Sequence, residues 1–251
     1  MGRPQAKPDQ LSISSTTRLL VLTGAGVSAE SGLATFRDAN GLWENHRVED
    51  VATPEAFDRD ARLVWRFYSQ RRAGAKACAP NAGHAALAEL ERRLGDRFLL
   101  VTQNVDDLHR RAGNERLVEL HGNLFFTKCS RCRREPFADE AAYDAQLPAC
   151  DECGLRGKRA LLRPHIVWFG EALDPAHFER IGAFMGDASP GTLQFLAVGT
   201  SGMVYPAAGL VQLARRHGAE TWLFNAEPAD NAAAFDHFMK GKSAELLPGL
   251  L

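Results

Sequence analysis

Short apolar runs recur along the chain, at Leu19–Leu22, Phe98–Val101, Leu117–Leu120, Ile166–Phe169, Leu193–Val198 and Trp222–Phe224. They are continuous rather than alternating, the pattern of strands covered on both faces. Helical periodicity fills several gaps between them, over Glu55–Arg72, Ala82–Arg93, Pro175–Met185 and Ala207–His217. Gly95 and Gly218 stand where two of these helices end. Strand alternating with helix predicts an α/β fold, a Rossmann-like parallel sheet with helices on both faces. Two stretches break the alternation. Residues 38–75 offer one helix and no strand, and residues 128–160 hold four cysteines, many charges and little periodicity. The expected plan is a Rossmann-like domain built from residues 18–37, 76–124 and 161–251. A helical insertion at 38–75 and a cysteine-bearing module at 125–160 interrupt it. Residues 1–17 are polar, with two prolines and a Ser/Thr run, and read as a flexible leader.

Charge removes some functions from consideration. Thirty Lys and Arg against 31 Asp and Glu leave no basic excess for a nucleic-acid groove. Arg131, Arg133 and Arg134 form a small basic cluster that reads as a solvated face. The longest apolar runs fall far short of a membrane span, and no secretory signal pattern opens the chain. The expectation is a cytoplasmic, monomeric protein with neither membrane nor nucleic acid as partner. A chain of 251 residues buries enough apolar surface to fold without disulfides.

The five cysteines carry a sharper signal. Four form Cys129-x2-Cys132-x17-Cys150-x2-Cys153, and Cys78 stands alone with no assigned role. Two CxxC knuckles at this spacing supply four thiolates to a tetrahedral Zn2+. Four thiolates leave no position for water, so this zinc is structural. It makes residues 125–160 a zinc-binding module that needs its metal to fold.

Leu19–Thr23 runs into Gly24-Ala25-Gly26-Val27-Ser28-Ala29, a strand followed by G-x-G-x-x-A. Gly24 permits a tight turn, and Gly26 lets backbone approach a pyrophosphate. A tight strand–helix turn without ligand explains the same glycines. The residues after Ala29 depart from the dehydrogenase pattern. Gly32 interrupts the helix after little more than a turn, and no second strand precedes Glu44. The loop beyond, with Arg37, is placed to cover a cofactor near its phosphates. A surface ion pair is the competing role for Arg37.

Taken together, these residues identify a family. Gly24–Gly32, Thr35-Phe36-Arg37, Thr102-Gln103-Asn104-Val105-Asp106, His121-Gly122, the two CxxC pairs, Arg163–Glu171, Gly199-Thr200-Ser201 and Asn225-Ala226-Glu227 stand in sirtuin order. The chain resembles an NAD-dependent sirtuin protein deacylase over about residues 18–250. Ala34 departs from the proline that many members carry.

The resemblance implies NAD as co-substrate, one structural Zn2+, and acyl-lysine proteins or peptides as partners. It implies that the acyl-lysine carbonyl oxygen attacks the ribose of NAD and displaces nicotinamide. His121 then acts as general base, and free lysine and O-acyl-ADP-ribose leave. Asn104 would place ribose and water, and Asp106 the nicotinamide carboxamide. Helix capping is an alternative role for both, compatible with the first. By the same resemblance Gly24, Ala25, Gly26, Ser28, Glu30, Thr35, Phe36, Arg37, Gln103, Gly199, Thr200, Ser201, Asn225, Glu227 and Ser243 bind the cofactor. Val167, Phe169, Gly170 and Glu171 with Met203 and Val204 would hold the substrate peptide as an added strand.

Tyr68 and Arg71 share a helix face at i, i+3, and a phenol beside a guanidinium suits a carboxylate. With Ala52 they resemble the pocket of the sirtuin class that removes succinyl and malonyl groups, often acetyl as well. For an isolated pair, a half-buried Tyr and a solvated Arg is the plainer reading. Two further functions fit the same site. One is protein mono-ADP-ribosyl transfer, which needs no carboxylate clamp. The other is an NAD-sensing zinc module, which needs no base.

Overall fold

The computed structural model describes residues 11–33, 46–144 and 146–251. Among them the strands are β1 (Arg18–Thr23), β2 (Phe98–Thr102), β3 (Leu117–Glu119), β4 (Gly122–Cys129), β5 (Phe137–Ala138), β6 (Leu162–Ile166), β7 (Leu193–Val198), β8 (Glu220–Asn225) and β9 (His237–Lys240). Six of them form one sheet in the order β3-β2-β1-β7-β8-β9, with every pairing parallel. All of β2 and all of β1 beyond Arg18 are buried. This is why those stretches read as unbroken apolar runs.

The α-helices are α1 (Ala25–Ala29), α2 (Val48–Val51), α3 (Pro54–Arg59), α4 (Ala61–Ala77), α5 (Ala82–Leu94), α6 (Leu108–Ala112), α7 (Asp151–Leu155), α8 (Pro175–Gly186), α9 (Leu210–Arg216) and α10 (Ser243–Leu246). Alternate strand residues meet different helices. Leu20 and Leu22 cluster with Ile181 and Met185 of α8 and Leu210 and Val211 of α9. Leu19 and Val21 cluster with Leu87 and Leu90 of α5. Pro175 opens α8 behind the capping Asp174, whose carboxylate accepts from Ala176 N. Among the described residues no helix is long and apolar enough to cross a membrane.

A second, antiparallel sheet has the order β5-β4-β6. The chain changes sheet at Gly122. That glycine has φ +82°, and a Cβ there would lie 2.0 Å from the His165 carbonyl oxygen. Only glycine lets β4 start against β6. The strand expected over Ile166–Phe169 is therefore corrected. The strand is Leu162–Ile166, it runs antiparallel, and it belongs to this smaller sheet. Trp168 is apolar because it packs in the smaller core, not because it lies in the large sheet. Strands β4, β5 and β9 lie outside the expected runs, and β4 crosses the boundary expected after residue 124.

The single helix expected over Glu55–Arg72 is two. Asp60 stands between them in a non-helical conformation, and its carboxylate accepts from Arg62 N and Leu63 N to start α4. Thr53 caps α3 ahead of Pro54 in the same way. These helices pack on the smaller sheet, with Phe57, Val64, Trp65 and Tyr68 against Leu124, Leu162, Ile166 and Trp168.

Arg72 ties α4 to that sheet. Its Nε donates to Leu124 O at 2.6 Å, and its amino groups donate to Ala141 O at 2.7 Å and Thr127 Oγ1 at 2.9 Å. It pairs with Asp139 at 3.4 Å, where both side chains are nearly excluded from water. Arg72→Met leaves that carboxylate and three acceptors without their donor. The expected loss is about 3–5 kcal/mol of unfolding free energy in urea. A loss below ~1 kcal/mol would show that water replaces the guanidinium at no cost.

Candidate active site

Strands β1, β2 and β7 are neighbours, and their carboxyl ends open on one side. The order of the sheet turns there, which is where ligands enter such folds. Two loops meet at this edge backbone to backbone. Gly24 N donates to Val198 O at 3.0 Å and Gly26 N to Gly199 O at 2.8 Å. A Cβ at Gly24 would lie 2.7 Å from Gly199 O, and one at Gly26 would lie 2.8 Å from Gly199 Cα. Gly199 has φ +61°, and its Cβ would lie 2.6 Å from Val27 N. The first need for these glycines is loop–loop contact, a reason the spacing alone did not show.

Polar side chains are tied across the junction. Gln103 Nε2 donates to Thr200 Oγ1 at 3.0 Å, and Asn225 Nδ2 donates to Thr200 O at 2.8 Å. Ser201 Oγ accepts from Met203 N at 3.4 Å. Asn104 Nδ2 donates to Gly24 O at 3.1 Å and to Ser28 Oγ at 3.0 Å. The Ser28 hydroxyl donates onward to Asp106 Oδ2 at 2.8 Å. Asp106 Oδ1 accepts from Leu108 N at 3.1 Å, so this residue also secures the start of α6. Burial pushes the Asp106 carboxyl above the usual range, against the bonds from Ser28 and Leu108.

His121 follows β3, and its Nδ1 lies 2.9 Å from Gln103 O. A carbonyl oxygen only accepts, so Nδ1 carries the hydrogen and neutral Nε2 keeps its lone pair. Burial lowers the His121 pKa, opposed by that backbone bond. The ring is held neutral and basic at Nε2.

Beneath this edge lies a buried hydroxyl–imidazole chain that the sequence did not single out. Thr23 Oγ1 donates to Thr102 Oγ1 at 2.9 Å, and Thr102 Oγ1 also accepts from Asn104 N at 3.1 Å. The Thr23 hydrogen is thereby used, so His109 Nε2, 3.0 Å away, donates to Thr23. Burial lowers the His109 pKa to about 3, and that of the adjacent His84 to about 4. Both rings stay neutral and support Asn104 from below.

The smaller unit closes the other side. Val167 N donates to His121 O at 2.9 Å, and Phe169 N donates to Ala52 O at 3.0 Å. Tyr68 is wholly buried, and its hydroxyl accepts from Trp168 Nε1 at 3.0 Å. Arg71 acts electrostatically on both Tyr68 and Asp106. Both Glu171 oxygens are engaged by Arg163, at 2.6 and 2.8 Å. Phe169 and Met203 leave about half of their surface exposed, 47% each.

The four cysteine sulfurs lie within 4.8 Å of one another. Cys129 to Cys153 and Cys132 to Cys150 each span 3.8 Å. A tetrahedron with Zn–S bonds of about 2.3 Å has edges of about 3.8 Å, so the donor set fits zinc. Arg131 N and Cys132 N donate to Cys129 Sγ at 3.3 Å, orienting one ligand from behind.

Residues 24–206 match the Sir2 family. The chain belongs to that family. An NAD-dependent protein deacylase of Pasteurella multocida (strain Pm70) is 47% identical over 238 residues, covering 93% of this chain and 96% of that one. Two solved structures are similar at 39% identity and cover 94% of this chain. One is a Sir2 homologue bearing a serine-to-alanine mutation in complex with ADP-ribose, with TM-score 0.83 and 91% of its own chain covered. The other is a Sir2 homologue in complex with NAD, with TM-score 0.82 and 89% covered.

Not every residue expected at this sirtuin's cofactor site faces it through a free side chain. The Glu30 carboxylate is occupied by α10, accepting from Ser243 N at 2.8 Å, from the Ser243 hydroxyl and from Ala244 N at 3.2 Å. Glu227 is exposed and pairs with Lys240 at 3.1 Å. Thr35, Phe36 and Arg37 lie outside the described residues. Trp168 was hidden inside an apolar run, and its indole N–H was the signal that a buried polar partner was needed.

Cys150→Ser is expected to drop bound zinc, measured by atomic emission, from one per chain towards none. The melting temperature is expected to fall with it. Full metal retention would remove Cys150 from the ligand set.

Proposed function

We propose that this chain is an NAD-dependent protein-lysine deacylase, acting on succinyl- and malonyl-lysine and also on acetyl-lysine. The observation that carries the reading is the His121 ring. Its Nδ1–H is spent on Gln103 O, which leaves Nε2 basic at the same strand edge as the loop that carries Asn104 and Asp106. The donor set fits NAD. Amides and hydroxyls of Gln103, Asn104, Ser28, Thr200 and Asn225 suit ribose and phosphate oxygens, and Asp106 suits a carboxamide. When bound, NAD supplies an ADP-ribose acceptor for the acyl group and nicotinamide as leaving group.

The chain's own residues do the rest. His121 Nε2 takes up a proton, and Gln103 O steadies the ring as its charge builds. Asn104, held by Gly24 O and Ser28, orients hydroxyls and water near that nitrogen. Tyr68 and Arg71 receive the acyl carboxylate, the guanidinium supplying charge and the phenol a hydrogen bond. Phe169–Glu171 and Gly202–Val204 pair with the substrate backbone, which accommodates many sequences.

His121→Ala is expected to cut kcat/KM at least about 100-fold with an unchanged circular dichroism spectrum, the weight of a lost general base. Residual turnover near the parent level would refute the role. Only the neutral ring is a base, so activity falls as pH drops through the His121 pKa. Because burial lowers that pKa, the acid limb of the kcat/KM profile is expected below about 6.5. Arg71→Met is expected to lower the succinyl-to-acetyl ratio of kcat/KM about ten- to 100-fold. Equal losses on both peptides would discard the acidic-acyl pocket while leaving the deacylase intact.

A further inference from the structure

We infer that Trp168 is a specificity-determining residue of the acyl pocket, because its indole N–H sets which way the Tyr68 hydroxyl points. The inference rests on the acidic-acyl reading of Tyr68 and Arg71.

The direction of the Trp168–Tyr68 bond is unambiguous. Indole Nε1–H is a donor only, so across the 3.0 Å contact Tyr68 Oη accepts. Trp168 is the only hydrogen-bond partner of that hydroxyl among the described residues. One lone pair is therefore engaged, and the phenol's single hydrogen remains to be donated elsewhere. A carboxylate has acceptors only, so it needs that hydrogen and is repelled by an oxygen lone pair. An acetyl group ends in a methyl and needs neither. Fixing the hydroxyl thus favours an acidic acyl chain over acetyl, in addition to the charge that Arg71 supplies. Burial raises the Tyr68 pKa, so the hydrogen stays in place at working pH.

Trp168 is itself held rigidly enough to impose this. The Arg163 guanidinium carbon lies 3.4 Å above its ring, and Phe57 packs at 5.4 Å between centroids. Glu171 accepts from Trp168 N at 2.8 Å while both its oxygens bind Arg163. Arg163 also donates to Ile166 O at 2.8 Å. Backbone and ring are fastened by the same ion pair. Glu171 acquires a role that its place beside the peptide segment did not suggest. It positions the residue that positions Tyr68.

Trp168→Phe keeps an aromatic ring between Arg163 and Phe57 and removes the N–H. We would measure kcat/KM on acetyl- and succinyl-lysine peptides of one sequence for the parent, Trp168→Phe, Tyr68→Phe and the double variant. Succinyl-peptide affinity without NAD would be measured alongside. The expected result is a fall in the succinyl-to-acetyl ratio of about tenfold for Trp168→Phe, the weight of one hydrogen bond to a charged group. Succinyl-peptide affinity falls in parallel. In the Tyr68→Phe background the Trp168 change adds no further loss of discrimination. Equal loss on both peptides, or additive effects, would mean that Trp168 only packs, and would overturn the inference.

If Trp168→Phe does not fold, the indole 15N–H resonance of Trp168 in the parent decides. It moves downfield with succinyl peptide and not with acetyl peptide, because donation by Tyr68 makes its oxygen a stronger acceptor. No such difference overturns the inference. A parent enzyme that deacetylates but does not desuccinylate overturns the acidic-acyl reading and this inference with it. A parent that desuccinylates, with an unchanged ratio in Trp168→Phe, overturns this inference alone.

Discussion

The candidate site depends on how closely two backbones approach. Gly24 and Gly26 press against Gly199 so tightly that any Cβ would collide with main chain. That contact brings the loops after β1 and β7 together, and Asn104 from the β2 loop bonds back to Gly24 O. Ser28, Asn104 and Asp106 then share one hydrogen-bonded chain, although Ser28 lies more than 70 positions from the other two. A methyl group at any of the three glycines would separate the strand ends that carry the chemistry.

A second constraint is the change of sheet at Gly122. One residue earlier, His121 closes the edge of the large parallel sheet. From Gly122 onward the chain builds the smaller sheet, whose return strand β6 leads into Val167, Trp168 and Phe169. Val167 N bonds to His121 O, so the proposed base and the proposed acyl pocket are joined through main chain. The cysteine knuckles sit at the far end of β4 and β6, where Cys129 pairs with Leu162. The cysteine cluster fastens this sheet at Cys129 and Arg72 fastens it at Leu124 and Thr127, and its packing on α3 and α4 aligns Tyr68 and Trp168.

Electrostatics follow from burial more than from charge pairing. His84, His109 and His121 are all pushed towards the neutral form by desolvation. Two of them serve as neutral hydrogen-bonding blocks beneath Asn104, and the third retains a basic nitrogen at the surface of the site. The same physical effect produces scaffold in one place and a candidate base in another. The difference is access: His121 is half-buried, whereas His84 and His109 are sealed beneath the strand ends.

Local pattern carried much of this. Apolar runs announced β1, β2, β3, β7 and β8, unbroken in β1 and β2, because strands covered on both faces have little polar side to show. The two CxxC pairs announced four thiolates, because a tetrahedral ion needs them at short spacing. Asp60, by contrast, splits a periodic stretch into two helices by capping, a choice that periodicity does not record. The strand near residue 166 went to the smaller sheet because an apolar run does not say which sheet it joins. Gly24 and Gly26 were legible as a loop, but their partner Gly199 lies far along the chain. Likewise Trp168 and Tyr68 are 100 positions apart, so their bond is visible only once the chain has folded. The sequence by itself determined most strands of the large sheet, the four cysteines that cluster and the family. Tertiary structure decided which distant groups share a proton, which glycines touch, and which way a buried hydroxyl points, because these depend on contacts between residues remote in the chain.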